Sequence, residues 1–159
     1  MKKVLLGILL SISSLVADEG RFIIIDPDYT QETYETYLNS FTYEERKDMK
    51  INSVELTVML EERTAQLIDI RFKEEFEAWH MKSSINIPLN ELPKRLNELD
   101  RNKLIVTACP HKDRAIMART FLKLQGFQTR YLVDGLIGLA EYWRGDNAKE
   151  FIDELNAKQ

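Results

Sequence analysis

The sequence predicts an α/β domain: a parallel sheet of about five strands with helices on both faces, preceded by a short N-terminal extension. Three observations predict it. From Ile51 onward, short apolar runs alternate with stretches of helical spacing. The run Leu104-Ile105-Val106-Thr107-Ala108 stays apolar along its length, as a strand covered on both faces must. Pro88, Gly126 and the pair Gly145-Asp146 fall between the runs, where a chain breaks its regular structure.

The elements follow in order. Arg21-Phe22-Ile23-Ile24-Ile25 is a short buried strand or an apolar arm, ended by Asp26-Pro27 because the residue before proline is biased away from helix. Tyr34, Tyr37, Leu38 and Phe41 recur at helical spacing, and Thr42-Tyr43-Glu44-Glu45 carries the capping-box pattern of a second short helix. This aromatic stripe reads as packing surface rather than as a ligand site. Asn52 or Ser53 caps a helix that runs to Glu62. Gln66 to Ile70 is a strand, Glu74 to Trp79 a short helix, and Ile85 to Ile87 a strand stopped by Pro88. Leu89 to Leu99 is helical, with Leu92, Leu96 and Leu99 on one face. Leu104 to Ala108 is a strand, Arg114 to Gln125 a helix ended by Gly126, and Thr129 to Val133 a strand. Leu136 to Trp143 and an amphipathic stretch from Ala148 to Leu155 are the last two helices.

A chain of 159 residues with 44% hydrophobic and 30% charged residues suits one soluble domain with one real core. The net charge of −4, with acidic and basic residues interleaved, argues against a nucleic-acid partner. Met1-Lys2-Lys3, the apolar run Val4 to Ile12 and Ala17 before Asp18-Glu19 form a secretory leader cut after Ala17. The apolar run is shorter than the roughly 20 residues of a membrane span, so no stable membrane insertion is expected after cleavage. The chain therefore divides into a leader (1–17), an extension packing on the domain (18–50) and the domain with its C-terminal helix (51–159). Export, into a bacterial periplasm, is the expected localisation.

Export gives Cys109, the chain's one cysteine, its meaning. It has no internal disulfide partner, so it is either buried and inert or kept for its reactivity. With only His80 and His111 besides, no metal site is expected. Cys109 closes the apolar strand and is followed by Pro110-His111-Lys112-Asp113-Arg114 and then a helix. In parallel sheets ligands sit at the carboxyl ends of strands. A thiol there lies where backbone N–H groups and the helix dipole favour a thiolate and an anion beside it. Lys112, Arg114 and a protonated His111 would add to that effect. Arg114 either binds the anion or orients the loop, or else is a first-turn charge paired with Asp113.

Taken together, these pieces resemble the rhodanese-like (thiosulfate sulfurtransferase) family. The likeness runs from Ile51 to Gly145. It is carried by Leu67-Ile68-Asp69-Ile70-Arg71 with Glu75-Phe76, by His80 and Ser84-Ile85-Asn86-Ile87-Pro88-Leu89, by Ile105 to Arg114 with Ala118 and Phe121-Leu122, and by Leu132-Val133-Asp134-Gly135. The resemblance implies that Cys109 accepts sulfur and that the loop to Arg114 wraps it with inward N–H groups, so that Pro110, His111, Lys112, Asp113 and Arg114 line the substrate. It implies that Asp69 and Arg71 pair to tie strand ends together. It also implies a double displacement with no cofactor beyond a transient cysteine persulfide: a small sulfur anion donates, and an external thiol, cyanide or a sulfur-acceptor protein accepts. The sequence departs from the family at Trp79, at Ser83-Ser84 and at Leu136, and most pointedly at Pro110, which has no N–H to offer the cradle.

His80 reads as structural, and Asp69 and Asp134 as cap or turn residues. Two other activities compete. A cysteine-dependent phosphatase has one residue more between Cys and Arg than Pro110 to Asp113 provides, and a His where this chain has Ala108. A non-catalytic binding module, or a sulfur carrier or sensor, would use the same residues without turnover.

Overall fold

A computed structural model describes residues 33–158, together with two short strands nearer the N-terminus. Those strands, β1 (Val16–Asp18) and β2 (Arg21–Ile23), pair antiparallel. They belong to a unit of their own, residues 1–31. Cleavage after Ala17 would remove two of the three residues of β1. The rest of the expected leader and Ile24-Ile25 lie outside the described residues.

The second unit holds five parallel strands: β3 (Lys50–Ile51), β4 (Ala65–Asp69), β5 (Ser84–Asn86), β6 (Leu104–Ala108) and β7 (Thr129–Leu132), in the order β3-β7-β6-β4-β5. Register places Leu67 beside Val106 and Asp69 beside both Ala108 and Asn86. Along β4 and β6, successive side chains enter opposite cores, as the two-residue period of a strand requires. Leu67 and Val106 join α3 (Ser53–Glu61), α6 (Gly135–Tyr142) and α7 (Asp146–Ala157) through Leu56, Leu60, Leu136, Leu139 and Phe151. Ile68 and Ile105 join α5 (Asp113–Leu124) through Ala115, Ala118 and Leu122. Both faces of the sheet are thus covered, which is why its central strand, β6, reads as an apolar run.

Helices α3 and α5 lie within one residue of the bounds the sequence predicts, for visible reasons. Asn52 caps α3 by accepting the Glu55 N–H at 2.9 Å. Helix α5 closes with a Schellman motif: the Phe127 N–H reaches the Leu122 carbonyl, the Gly126 N–H reaches Lys123, and Gly126 takes φ +76°. Trp143 anchors the other face by stacking on Phe151 at 4.2 Å and donating its indole N–H to Thr57 Oγ1 at 2.8 Å.

One expectation fails. Leu89 to Leu99 is not an α-helix but two 3-10 turns, Leu92–Lys94 and Leu96–Glu98. Pro93 sits too deep for an α-helix begun at Leu89, because it lacks the N–H owed to the Leu89 carbonyl and its ring would crowd that group. The leucine spacing still works: Leu92 and Leu99 are buried.

The extension forms α1 (Tyr34–Asn39) and α2 (Tyr43–Asp48). Thr42 caps α2 by accepting the Glu45 N–H at 3.2 Å. Glu45 does not complete the box, because its carboxylate turns to Arg119 of α5. Arg119, only 2% exposed, also donates to the Tyr37 hydroxyl at 2.6 Å, and that hydroxyl donates to Glu45 at 3.0 Å. Of the aromatic stripe only Tyr37 is buried; Tyr34, Leu38 and Phe41 are exposed.

Candidate active site

Cys109 follows β6 at the carboxyl end of the sheet, and the chain turns through Pro110, His111 and Lys112 into α5. Its backbone is held from two sides. Ahead of it, the Ile70 N–H donates to the Ala108 carbonyl at 3.0 Å. Beside it, the Leu136 N–H donates to the Cys109 carbonyl at 2.8 Å and the Ile137 N–H to the Pro110 carbonyl at 3.3 Å. The first turn of α6 therefore serves the loop backbone, not an anion. Gly135 permits that approach: a Cβ there would lie 2.3 Å from the His111 carbonyl oxygen and 2.4 Å from that of Pro110. Its φ of +66° is a second reason for glycine.

The sulfur itself is fully buried, at 0% exposure. The backbone amides of Ala115 and His111 pull its thiol toward the ionised form. A carboxylate also enters: the thiol donates to Asp113 Oδ1 at 3.5 Å. Burial pushes the thiol above its ordinary range and Asp113 pushes it further, against the two amides that pull it down. This reverses the expectation of a thiolate favoured by the loop. The sequence weighs the helix dipole and nearby cations, but water exclusion is the larger effect and the Asp113 carboxylate adds to it.

Arg114 has a partner that the sequence does not indicate. It does not pair side chain to side chain with Asp113. Its two terminal nitrogens donate to Glu75 of α4 (Lys73–Ala78), Nη1 to Oε2 at 2.7 Å and Nη2 to Oε1 at 2.9 Å. This bidentate pair holds the Glu75 carboxyl down at about 2. Glu75 Oε2 also accepts the Phe72 N–H at 3.2 Å, the side-chain half of a capping box. His111 and Lys112 are exposed on the loop.

Asp69 and Arg71 lie just behind, and they pair. Arg71 Nη2 donates to Asp69 Oδ2 at 2.6 Å and to the Trp79 carbonyl at 2.7 Å, with both side chains buried. Asn86 donates to the carbonyls of Asp69 (3.0 Å) and Arg71 (2.9 Å), which ties β5 to the end of β4. Trp79, the family departure, lays its ring over the Arg71 guanidinium at 4.2 Å. Asp134 accepts the Ser53 N–H and hydroxyl at 2.7 and 2.8 Å, which is a turn-fixing role. His80 packs on Phe76 at 4.0 Å and its Nδ1 lies 2.9 Å from the Phe76 carbonyl.

Sequence reasoning missed two participants. Glu75 was legible only as part of α4, since nothing in local spacing links it to Arg114, 39 residues later. Gly135 was legible as a turn, but not as the surface against which the loop rests. Among the described residues, no three His, Cys, Asp or Glu side chains gather as a metal site, and no helix is long and apolar enough to cross a membrane.

The family model for the rhodanese-like domain matches residues 53–141. The thiosulfate sulfurtransferase GlpE of Pseudomonas syringae pv. syringae is 31% identical over 93 residues, covering 58% of this chain and 85% of that protein. YrkF of Bacillus subtilis, a protein named for sulfur carriage, is 37% identical over 67 residues, covering 42% of this chain and only 36% of that relative. Among solved structures, a rhodanese-related protein from Thermoplasma volcanium superposes with a TM-score of 0.53 at 27% identity, covering 58% of this chain and 90% of that one.

Proposed function

From the premise that this chain belongs to the rhodanese-like domain family, we propose that it is a sulfurtransferase. It moves sulfane sulfur from thiosulfate or polysulfide, through a persulfide on Cys109, to an external thiol or cyanide. The observation that carries this reading is the position of Cys109: buried at the carboxyl end of the central strand, in the short loop that leads into helix α5.

With thiosulfate the first half-reaction balances from the protonated thiol. Cys109 sulfur bonds to the outer sulfur of thiosulfate and the S–S bond of the donor breaks. The thiol proton leaves with the departing group as hydrogensulfite, and a persulfide anion stays on the protein. The nearby amides of His111 and Ala115, which already favour negative charge on this side chain, favour that anion too. In the second half-reaction, cyanide takes the outer sulfur as thiocyanate and the Cys109 thiolate returns. An external thiol takes it as a persulfide in the same way. No second cysteine exists to compete internally. This is covalent, ping-pong chemistry. The secretory leader pattern of residues 1–17 supports an exported, periplasmic setting, where the acceptor is either a small molecule or a sulfur-acceptor protein.

A second reading keeps the family and drops turnover: a binding, carrier or sensing module. The burial of Cys109 and the carboxylate beside it favour this alternative. Steady-state thiocyanate formation separates the two. The enzyme reading expects parallel double-reciprocal lines for thiosulfate and cyanide, abolished in Cys109→Ser. The module reading expects no turnover in either protein.

A further inference from the structure

In the resting site the loop's arginine is already occupied, which leaves the exposed Lys112 as the loop's other cation. Arg114, the cation that ends the cysteine loop, has both terminal nitrogens on Glu75, and Asp113 places a negative charge 3.5 Å from the sulfur. Glu75 belongs to a different element, α4, and is not needed to build the cradle. We propose that Glu75 is a specificity-determining residue: an internal counter-anion that occupies Arg114 in the resting protein and that the donor's oxyanion must displace. The proposal rests on the sulfur-anion reading of the site.

Three observations support an exchange over a permanent strut. The pair is half-exposed, with Arg114 at 28% and Glu75 at 37%. Such pairs are held weakly enough to trade partners. A carboxylate and the oxyanion end of thiosulfate present the same paired oxygens to the planar guanidinium fork, so one can replace the other. And Glu75 is not orphaned by the exchange, because its Oε2 already accepts the Phe72 N–H at the start of α4. Weakly bound anions fail to pay this exchange cost, so the latch filters them. It does not open with mild acid, since Glu75 remains ionised to about 2.

The test is calorimetric binding of thiosulfate to the full chain in a Cys109→Ser background, where no sulfur can transfer. Adding Glu75→Gln keeps the shape and the cap acceptor and removes the charge. The proposal expects the dissociation constant to fall about 2- to 5-fold, the range set by a half-exposed pair. The control Glu77→Gln removes a charge from the same helix, where Glu77 pairs with Lys73, and should leave binding unchanged. Unchanged or weaker binding in Glu75→Gln overturns the proposal and makes Glu75 a strut for Arg114. Equal tightening in Glu77→Gln overturns it too, since net charge alone would then explain the gain. Failure of sulfur transfer in the parent protein is a separate result: it sinks the sulfurtransferase reading, while the latch is still decided by the binding comparison.

Discussion

Cys109 is pulled in opposite directions by its neighbours. The amides of His111 and Ala115 favour the thiolate, whereas burial and Asp113 favour the thiol, and the second pair wins. Replacing Asp113 by Asn removes a negative charge and the oxygen that best accepts the thiol proton. The ionised form then becomes easier to reach, so the thiol titrates lower. The pH at half-maximal alkylation of Cys109 by iodoacetamide should drop; no change or a rise would contradict this electrostatic account. The sequence located this residue well, because a lone thiol closing an apolar strand before a helix start is a local pattern. It did not locate what governs the thiol's ionisation. Burial and the 3.5 Å contact to Asp113 depend on how the loop folds back on itself, and the Arg114–Glu75 pair depends on two helices meeting. Residue types announced charges at the loop; only geometry says which of them face one another.

At the level of elements, strands and long helices were legible because their signals are short-ranged. Leu104–Ala108 has the expected bounds, and Gly126 ends α5 by the motif its position suggests. Leu89 to Leu99 shows the opposite case: a correct apolar spacing was read as an α-helix although Pro93 forbids the backbone pattern. The capping box at Thr42 was half right, since Glu45 is drawn to Arg119 instead of to its own helix start. That contact joins the extension to the domain. Arg119→Ala leaves Glu45 without its buried partner and the Tyr37 hydroxyl without its donor. Breaking such a pair from one side should cost about 2–4 kcal/mol of unfolding free energy. Urea denaturation monitored by circular dichroism measures it. A loss below about 0.5 kcal/mol, the level of an ordinary surface change, would contradict a locking role for Arg119.

Across the residues from Lys50 to Leu132, the five-stranded parallel sheet brings the carboxyl ends of β4, β6 and β7 to one edge, and everything chemically distinctive gathers there. Asp69, Arg71 and Asn86 stiffen the edge on one side. Gly135 and the first turn of α6 support the cysteine loop on the other. This arrangement was legible as a fold class, because alternation of buried strands with helices allows few other architectures. The strand order and the pairing of distant residues were not, since they arise from packing between elements far apart in the chain. The described residues thus hold one thiol in a loop braced on both sides, and the proposed function has that thiol receive sulfur and pass it on. The most direct test of that claim is the intact mass of the protein after incubation with thiosulfate, beside Cys109→Ser. The account predicts a gain of one sulfur atom on the wild type alone, released by cyanide. No gain with thiosulfate or polysulfide, or the same gain on Cys109→Ser, would contradict it.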